Sequence, residues 1–239
     1  WTSEEADFFV NWYREEATDE IRVKLAWLYG YLTEKKSPNS TISEAIKGGK
    51  SRLVVGIFCA KAEVSGEAAF FEFLRVHTKN PEKFTLYHLN EIISHLPPDA
   101  DFSSISSKVP SGGQAAASVL AHLVKHWSSS DPNDAFKALS QRPPEFRKSC
   151  VDILVDDLFD AKNLEPLLAE MKTGTMGDLV CWVGARCFIE DDEERAWQLV
   201  RQIEDGELKL AVSREIFEVQ QTWNRNKALE EWERTFPAE

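Results

Sequence analysis

Long hydrophobic runs are absent from this 239-residue sequence. The longest apolar stretches, such as residues 53–60, fall far short of the roughly 20 residues that an α-helix needs to cross a bilayer. The sequence therefore predicts no membrane insertion.

Basic residues are scarce relative to acidic ones. The chain has 28 Lys and Arg against 40 Asp and Glu, which gives a formal charge of −12 and a pI near 5.0. The basic residues occur singly or in pairs, such as Lys35-Lys36 and Arg147-Lys148, so they form no run that could follow a phosphate backbone. Nucleic acid is therefore not expected as a partner.

Catalytic and metal-binding motifs are also missing. The sequence has no glycine-rich phosphate loop, no nucleophile elbow and no Cys/His pairing at catalytic spacing. His122 and His126 have the spacing of a metal-binding pair, but they lack a third ligand and stand beside Lys125, which repels a cation. We therefore expect no metal, no cofactor and no enzymatic activity.

Cysteine occurs only four times, at Cys59, Cys150, Cys181 and Cys187. Each lies in an apolar helical stretch, where a free cysteine behaves as a small hydrophobic residue, so buried thiols are predicted. Cys181 and Cys187 are six residues apart, which places them about 120° apart around one helix and prevents their pairing. This usage favours a reducing compartment such as the cytoplasm.

What the sequence does contain is a unit of about 31 residues that recurs along the chain. Each copy has a helix-forming apolar stretch, a short polar break and a second amphipathic stretch. The copies begin near Ile21, Ser51, Phe84, Gln114, Glu145, Met176 and Glu207, and residues 3–18 fit the second half of an earlier copy. A helix pair of this size cannot bury its apolar face alone and stacks on its neighbours, which predicts an all-α solenoid of about seven helix hairpins.

The copy at residues 114–144 shows the pattern most clearly. Its first helix carries an apolar stripe at helical spacing, formed by Val119, Leu120, Leu123, Val124 and Trp127. After three serines, Asp131-Pro132 can cap and start the next helix, and Pro143-Pro144 ends the unit.

Small residues recur in the second helix of several copies. Ala135, Ala196 and Ala228 occupy matching places, as does Ala68-Ala69 near the N-terminal end. A bulky side chain at a close helix crossing would force the two helices apart, so these positions are expected at crossings.

A Gly and an Ala 12 residues apart, Gly56 with Ala68 and Gly184 with Ala196, resemble the small-residue pair of tetratricopeptide-type helix hairpins. The chain is similar to the tetratricopeptide-like or HEAT-like α-solenoids over nearly its whole length. It also resembles degenerate bacterial helical repeats with Asp-Pro-x-x-Ala between helices. The resemblance implies a right-handed α-α superhelix whose first helices line the concave face.

These patterns predict one α-solenoid domain over residues 1–239, which could be a segment of a longer chain. The least regular parts are residues 37–40 and 97–113, where a short helix is expected only around residues 102–108.

The favoured function is a non-catalytic interaction module or scaffold that binds a protein or peptide. If the first helices line the concave face, then Lys125, Asp152, Asp156 and Arg186 are the candidate contact residues. The alternatives are an all-α toroid enzyme with acidic residues in a central cavity, and a purely structural segment of a larger protein. The oligomeric state does not follow from the sequence.

Overall fold

The computed structural model describes residues 2–36, 42–158, 161–170 and 174–237. Within these ranges every regular element is helical, and no strand occurs. The all-α prediction is therefore confirmed, whereas the right-handed superhelix of seven hairpins stays a prediction. No helix among the described residues is long and apolar enough to span a membrane.

The contacts divide the chain into two compact units, residues 1–109 and 110–239. The boundary falls inside the irregular segment 97–113 that the sequence singles out. The single-domain solenoid stays a prediction, and each unit is described by itself below.

The first unit is built from seven helices in its described part. They are α1 (Ser3–Glu15), α2 (Asp19–Lys36), α3 (Ile42–Lys47), α4 (Ser51–Ser65), α5 (Glu67–Lys79), α6 (Leu86–Ile93) and α7 (Phe102–Lys108). Helix α7 lies where the short helix was expected. Residues 37–40, the other predicted irregular part, lie outside the described residues.

Helix α4 forms the centre of this unit. It contacts α2, α3, α5 and α6, and residues 54–60 are all buried. A helix that is covered on every side carries apolar residues all round, which explains the uninterrupted run at residues 53–60. The rings of Phe58, Phe73 and Phe84 continue this core in edge-to-face contacts, with centroids 5.1 and 5.3 Å apart.

The second unit contains α8 (Gln114–Trp127), α9 (Pro132–Ser140), α10 (Pro144–Ile153), α11 (Ala161–Glu170), α12 (Gly174–Phe188), α13 (Glu193–Gln202) and α14 (Gly206–Thr235). A π-helical turn, Leu154–Leu158, follows α10 directly. The stripe predicted on α8 is buried throughout, and Trp197 of α13 is fully buried at the centre of the C-terminal helices. Helix α12 contacts α9, α11, α13, α14 and the π turn.

Side-chain caps start several of these helices. Asp131 accepts a hydrogen bond from the backbone N–H of Asp134 at 3.0 Å, and Asp192 accepts one from that of Arg195 at 3.0 Å. The backbone at the two caps is nearly identical, with φ/ψ of −145°/87° and −144°/82°. Because Pro132 needs no partner for a backbone N–H, it fits the first turn of α9, as the sequence predicts.

Helix α14 contains one non-helical residue, Asn224, with φ/ψ of −147°/72°. Its side-chain oxygen accepts a hydrogen bond from the backbone N–H of Lys227 at 3.3 Å. Asn224 therefore acts as an internal cap, and the helix consists of two segments joined at a kink.

The small-residue positions differ in their surroundings. Ala135, Ala196 and Ala228 are fully buried, and so is Ala69, but Ala68 is exposed. Gly56 faces the backbone of α2: a Cβ added there would lie 2.0 Å from the carbonyl oxygen of Trp27. Gly56 therefore packs closely against α2, and in α5 the register buries Ala69 and not Ala68.

Candidate functional site

Three of the four candidate contact residues lie together in the second unit. Arg186 of α12 donates a hydrogen bond to Asp152 of α10, and its other terminal nitrogen lies 3.7 Å from the carboxylate of Asp156 in the π turn. The fourth candidate, Lys125, is half-buried in α8. The spacing of 34 residues between Asp152 and Arg186 is close to one predicted repeat.

The same surface continues onto α14 through Glu215. Its carboxylate accepts a hydrogen bond from Lys148 of α10 at 2.7 Å and one from the indole N–H of Trp182 of α12 at 3.0 Å. Lys148 also lies 3.8 Å from Asp152. We call these six residues the charged ladder: Lys148, Asp152, Asp156, Trp182, Arg186 and Glu215.

The ladder joins helices that are distant in sequence. Trp182 and Glu215 are 33 residues apart, and Lys148 and Glu215 are 67 residues apart. The fold brings α10, α12 and α14 close enough for these side chains to come within hydrogen-bonding distance.

A groove of about 420 Å³ opens beside the ladder. Its described lining contains four carboxylates and one guanidinium, over an aliphatic floor. The charged members are Asp156, Arg186, Glu190, Asp191 and Glu215, and the others are Val155, Cys187, Ile189, Ile216 and Val219. Cys187, expected to be buried, is only half-buried because it faces this groove.

An exposed tryptophan stands one helical turn beyond the groove on α14. Trp223 is 49% exposed, and Val219, four residues before it, is 36% exposed and lines the groove. Residues four apart lie on one face of a helix, so the two form an apolar strip. The indole N–H of Trp223 donates to Glu193 at 2.5 Å, which fixes the ring in place.

Glu193 holds several groups around this tryptophan. It pairs with Lys227 at 2.7 Å and accepts a hydrogen bond from the amide of Gln220 at 2.9 Å. The hydrogen bonds from Lys227, Trp223 and Gln220 lower the pKa of Glu193 despite some burial. The buried Gln220 in turn accepts a hydrogen bond from Trp197 at 2.8 Å.

Sequence analysis did not single out Trp223 as a surface residue, and it is more exposed than Tyr29 and Tyr31 of the first unit. Both tyrosines are half-buried, and the ring of Tyr31 stacks on that of Trp27 with centroids 5.2 Å apart. One signal could have found Trp223: it is the only apolar residue between Gln220 and Lys227.

The first unit has its own charged cluster, centred on Glu63 of α4. Its carboxylate pairs with Lys35, accepts a hydrogen bond from the hydroxyl of Tyr31 at 2.6 Å and lies 2.9 Å from Nδ1 of His95. His95, which looks isolated in sequence, thus has a partner 32 residues away. Burial raises the pKa of Glu63, but the bonds from Lys35, Tyr31 and His95 outweigh it and lower the pKa to about 2.

This cluster ties three helices together. Tyr31 and Lys35 lie on α2, Glu63 lies on α4, and His95 follows the end of α6. Since Lys35, Tyr31 and His95 all contact the carboxylate of Glu63, the cluster braces the unit.

The histidine pair of α8 is partly engaged by the helix itself, because Nδ1 of His122 lies 2.9 Å from the carbonyl oxygen of Ser118. Among the described residues, no group of three or more His, Cys, Asp or Glu side chains could hold a metal ion.

Cys181 and Cys187 form no disulfide with each other, as predicted. Cys59, Cys150 and Cys181 are buried, which confirms the prediction for these three. Burial raises the pKa of Cys150 to about 12 and that of Cys181 to about 11, so both stay protonated and poorly nucleophilic near neutral pH.

No protein-family model, curated protein or solved structure matches this chain. The features of this chain that bear on its function are therefore the groove, the charged ladder and the helix arrangement.

Proposed function

We propose that this chain is a non-catalytic helical-repeat module whose second unit binds a protein segment in the groove beside the charged ladder. The observation that carries the proposal is the ladder itself. Successive first helices, α10, α12 and α14, contribute side chains one repeat apart to a shared surface. Solenoids bind extended partners through surfaces composed in this way.

The repeat is supported by local geometry that recurs along the second unit. Asp131, Asp192 and Asn224 share nearly the same backbone conformation, and each caps the amide three residues later. Each is followed after four residues by a fully buried alanine, namely Ala135, Ala196 and Ala228. A shared cap followed by a shared small residue is what repeated helix hairpins require.

The helix starts also support the repeat. The helices α2, α4, α6, α8, α10, α12 and α14 begin within two residues of the seven starts expected from the sequence. Within the units, first helices contact the next first helix in the pairs α2 with α4, α4 with α6, α8 with α10, and α12 with α14.

The groove has the features of a recognition surface. The ion pairs of Arg186 and Lys148 hold α10, α12 and α14 in place, while Asp156, Glu190 and Asp191 are exposed beside the aliphatic floor. The π turn places Asp156 at the rim, and such turns occur frequently at functional sites.

Selection from a random peptide library displayed on phage tests this function. The target is the whole protein, with Val219→Gln as the groove variant and Leu229→Gln as its matched control. Both residues are half-exposed aliphatic side chains on α14, but only Val219 lines the groove.

We expect enriched peptides that bind the unmodified protein and the Leu229 variant equally and bind the Val219 variant at least about fivefold more weakly. The proposal is wrong if no peptide is enriched, or if enriched peptides bind the Val219 variant with unchanged affinity.

A further inference from the structure

We infer that the segment bound in this groove is positively charged and carries apolar side chains, an inference that rests on the function proposed above. The groove combines three features that fit such a partner: an excess of carboxylates, an aliphatic floor and a half-exposed tryptophan at one end.

The first feature is the charge of the groove. Four carboxylates face one guanidinium in its described lining, and Arg186 already pairs with Asp152 and Asp156. Glu190 and Asp191 are both exposed at the turn after α12. Asp156 and Glu215 already have cationic partners in Arg186 and Lys148, so a lysine or arginine from a partner would bring its counter-charge to Glu190 and Asp191.

The second feature is the charge of the whole unit. Residues 110–239 contain 24 acidic and 15 basic residues, so this unit carries nine of the twelve net negative charges, and residues 1–109 carry three. Charge of one sign that is concentrated on the unit containing the groove attracts a cationic partner and accelerates its association.

The third feature is the apolar strip formed by Val219 and Trp223. Tryptophan is enriched among residues that dominate binding energy, and a ring held at its N–H by Glu193 loses little further freedom when it is covered. A purely polar cationic segment would leave this strip and the aliphatic floor uncovered, so the partner needs apolar side chains as well.

Two synthetic peptides of 16 residues provide the test. Both carry leucines at helical spacing, and their remaining positions are lysine in one peptide and glutamate in the other. Fluorescence anisotropy at about 150 mM salt measures binding to the whole protein. Because the chain has eight tryptophans, the burial of Trp223 is read from the part of the emission change that is lost in Trp223→Ala. At this ionic strength the Debye length is about 8 Å, so only close charge contacts persist.

The variants have a matched charge control. The double variant Glu190→Gln and Asp191→Asn removes two groove carboxylates, while Glu207→Gln and Glu230→Gln removes two exposed carboxylates outside the lining of the groove. A third variant, Trp223→Ala, removes the ring.

We expect the lysine peptide to bind at least about tenfold more tightly than the glutamate peptide. The groove double variant and Trp223→Ala should each weaken its binding at least about fivefold, and the control double variant less than about twofold.

Three results would overturn the inference. The first is equal binding of both peptides or of neither. The second is an equal loss in the groove and control double variants, which would mean diffuse charge attraction only. The third is a concentration-dependent dimer that is lost in Val219→Gln, since a second copy of the chain would then occupy the groove.

Failure of this inference is distinguishable from failure of the proposed function. If library peptides without positive charge bind in a way that depends on Val219, the groove is a binding site and only the partner's chemistry is wrong. If no binding depends on Val219, both proposals fail.

Discussion

Two glycines allow α2 and α4 to approach each other closely in the first unit. A Cβ added to Gly56 would lie 2.0 Å from the carbonyl oxygen of Trp27, and one added to Gly30 would lie 2.3 Å from that of Leu53. Both contacts are with backbone, so no side chain can move aside to relieve them. The two positions therefore require glycine because α2 and α4 touch backbone to backbone.

Gly56→Ala should consequently force α2 and α4 apart and lower the free energy of unfolding by about 1–3 kcal/mol or more. Gly112→Ala is the control, since no heavy atom lies within 4 Å of its added Cβ. Urea denaturation followed by circular dichroism measures both. Equal midpoints for the two variants would show that the helices do not approach as closely as described.

Glu63 is the residue whose ionisation should matter most to the first unit. Its pKa is about 2 in the folded chain against an ordinary value of 4.5. A carboxyl whose pKa is depressed by folding stabilises the folded state above its ordinary pKa, and this contribution is lost as the pH falls through the folded value. The affected window therefore runs from about pH 4.5 down to about pH 2.

Glu63→Gln should lower the melting temperature at pH 7, because Lys35, Tyr31 and His95 lose a charged partner, and the difference from the unmodified chain should shrink as the pH approaches 2. Glu72→Gln, at an exposed pair with Lys61, serves as the control. Thermal melts at pH 7, 4 and 2.5 test this. A difference that stays constant across these values would contradict the role assigned to Glu63.

The kink of α14 is a feature that the repeat pattern predicts only in part. The repeat predicts two helices in the last copy, and the chain instead bends at one capped residue, Asn224, without a loop. The asparagine side chain accepts the hydrogen bond that the backbone N–H of a helix start needs, and only this one non-helical residue separates the two helical segments.

Asn224→Ala should remove this cap and destabilise the second unit by about 1 kcal/mol, whereas Asn224→Asp should retain most of the stability because aspartate caps equally well. Asn226→Ala is the matched control, an exposed asparagine two residues away on the same helix. Chemical denaturation midpoints compare the three variants. A midpoint for Asn224→Ala that equals the Asn226→Ala value would mean that the kink needs no cap.

The buried Ala196 shows how closely helices α12 and α13 pack against each other. Ala196 has no exposed surface, and Leu199, one turn further along α13, lies against Gly184 of α12, where an added Cβ would come within 2.9 Å of its side chain. The two helices therefore pack closely, and a larger residue on this face has no space.

Ala196→Leu should overpack this contact and destabilise the chain by about 1–3 kcal/mol, as should Ala135→Leu on α9. Ala115→Leu, at an exposed position of α8, should change stability little. Chemical denaturation midpoints of the three variants and the unmodified chain measure these changes in stability. Unchanged midpoints for the buried variants would place these alanines outside helix contacts.

At the scale of the whole molecule, charge is distributed unevenly between the two units. The second unit carries most of the net charge of −12, and many of its cations are already paired, including Arg186, Arg201 and Lys227. Duplex DNA or RNA should therefore bind only weakly at about 150 mM salt, since binding requires cations that can replace the counterions of the phosphates.

A salt titration of binding to a fluorescent duplex checks this expectation. Submicromolar affinity at physiological salt, with a steep dependence on salt concentration, would overturn both the expectation and the assignment of a cationic partner. The lysine peptide described above is the positive control for the same protein preparation.

The local sequence determined where many helices begin and which of their faces are buried. Helix starts follow from caps such as Asp131 and Asp192, and the buried stripe of α8 follows from apolar residues at helical spacing. The caps and the apolar spacing each involve residues within one or two helical turns of one another. They can therefore be recognised in the sequence without knowledge of which helices pack together. The short helix at Phe102–Lys108 was predicted from another local signal, because the proline, serine and glycine of residues 97–113 leave room only for a short helix.

Tertiary structure alone decided the contacts between residues about 30 or more apart. The pairs Arg186 with Asp152, Glu63 with His95, and Trp223 with Glu193 depend on how neighbouring helices are rotated and shifted. The same holds for Gly56, whose nearest neighbours lie on α2. A periodic sequence fixes which side of each helix is buried, but helix crossings and register arise from side-chain fit between elements, and that fit created the groove.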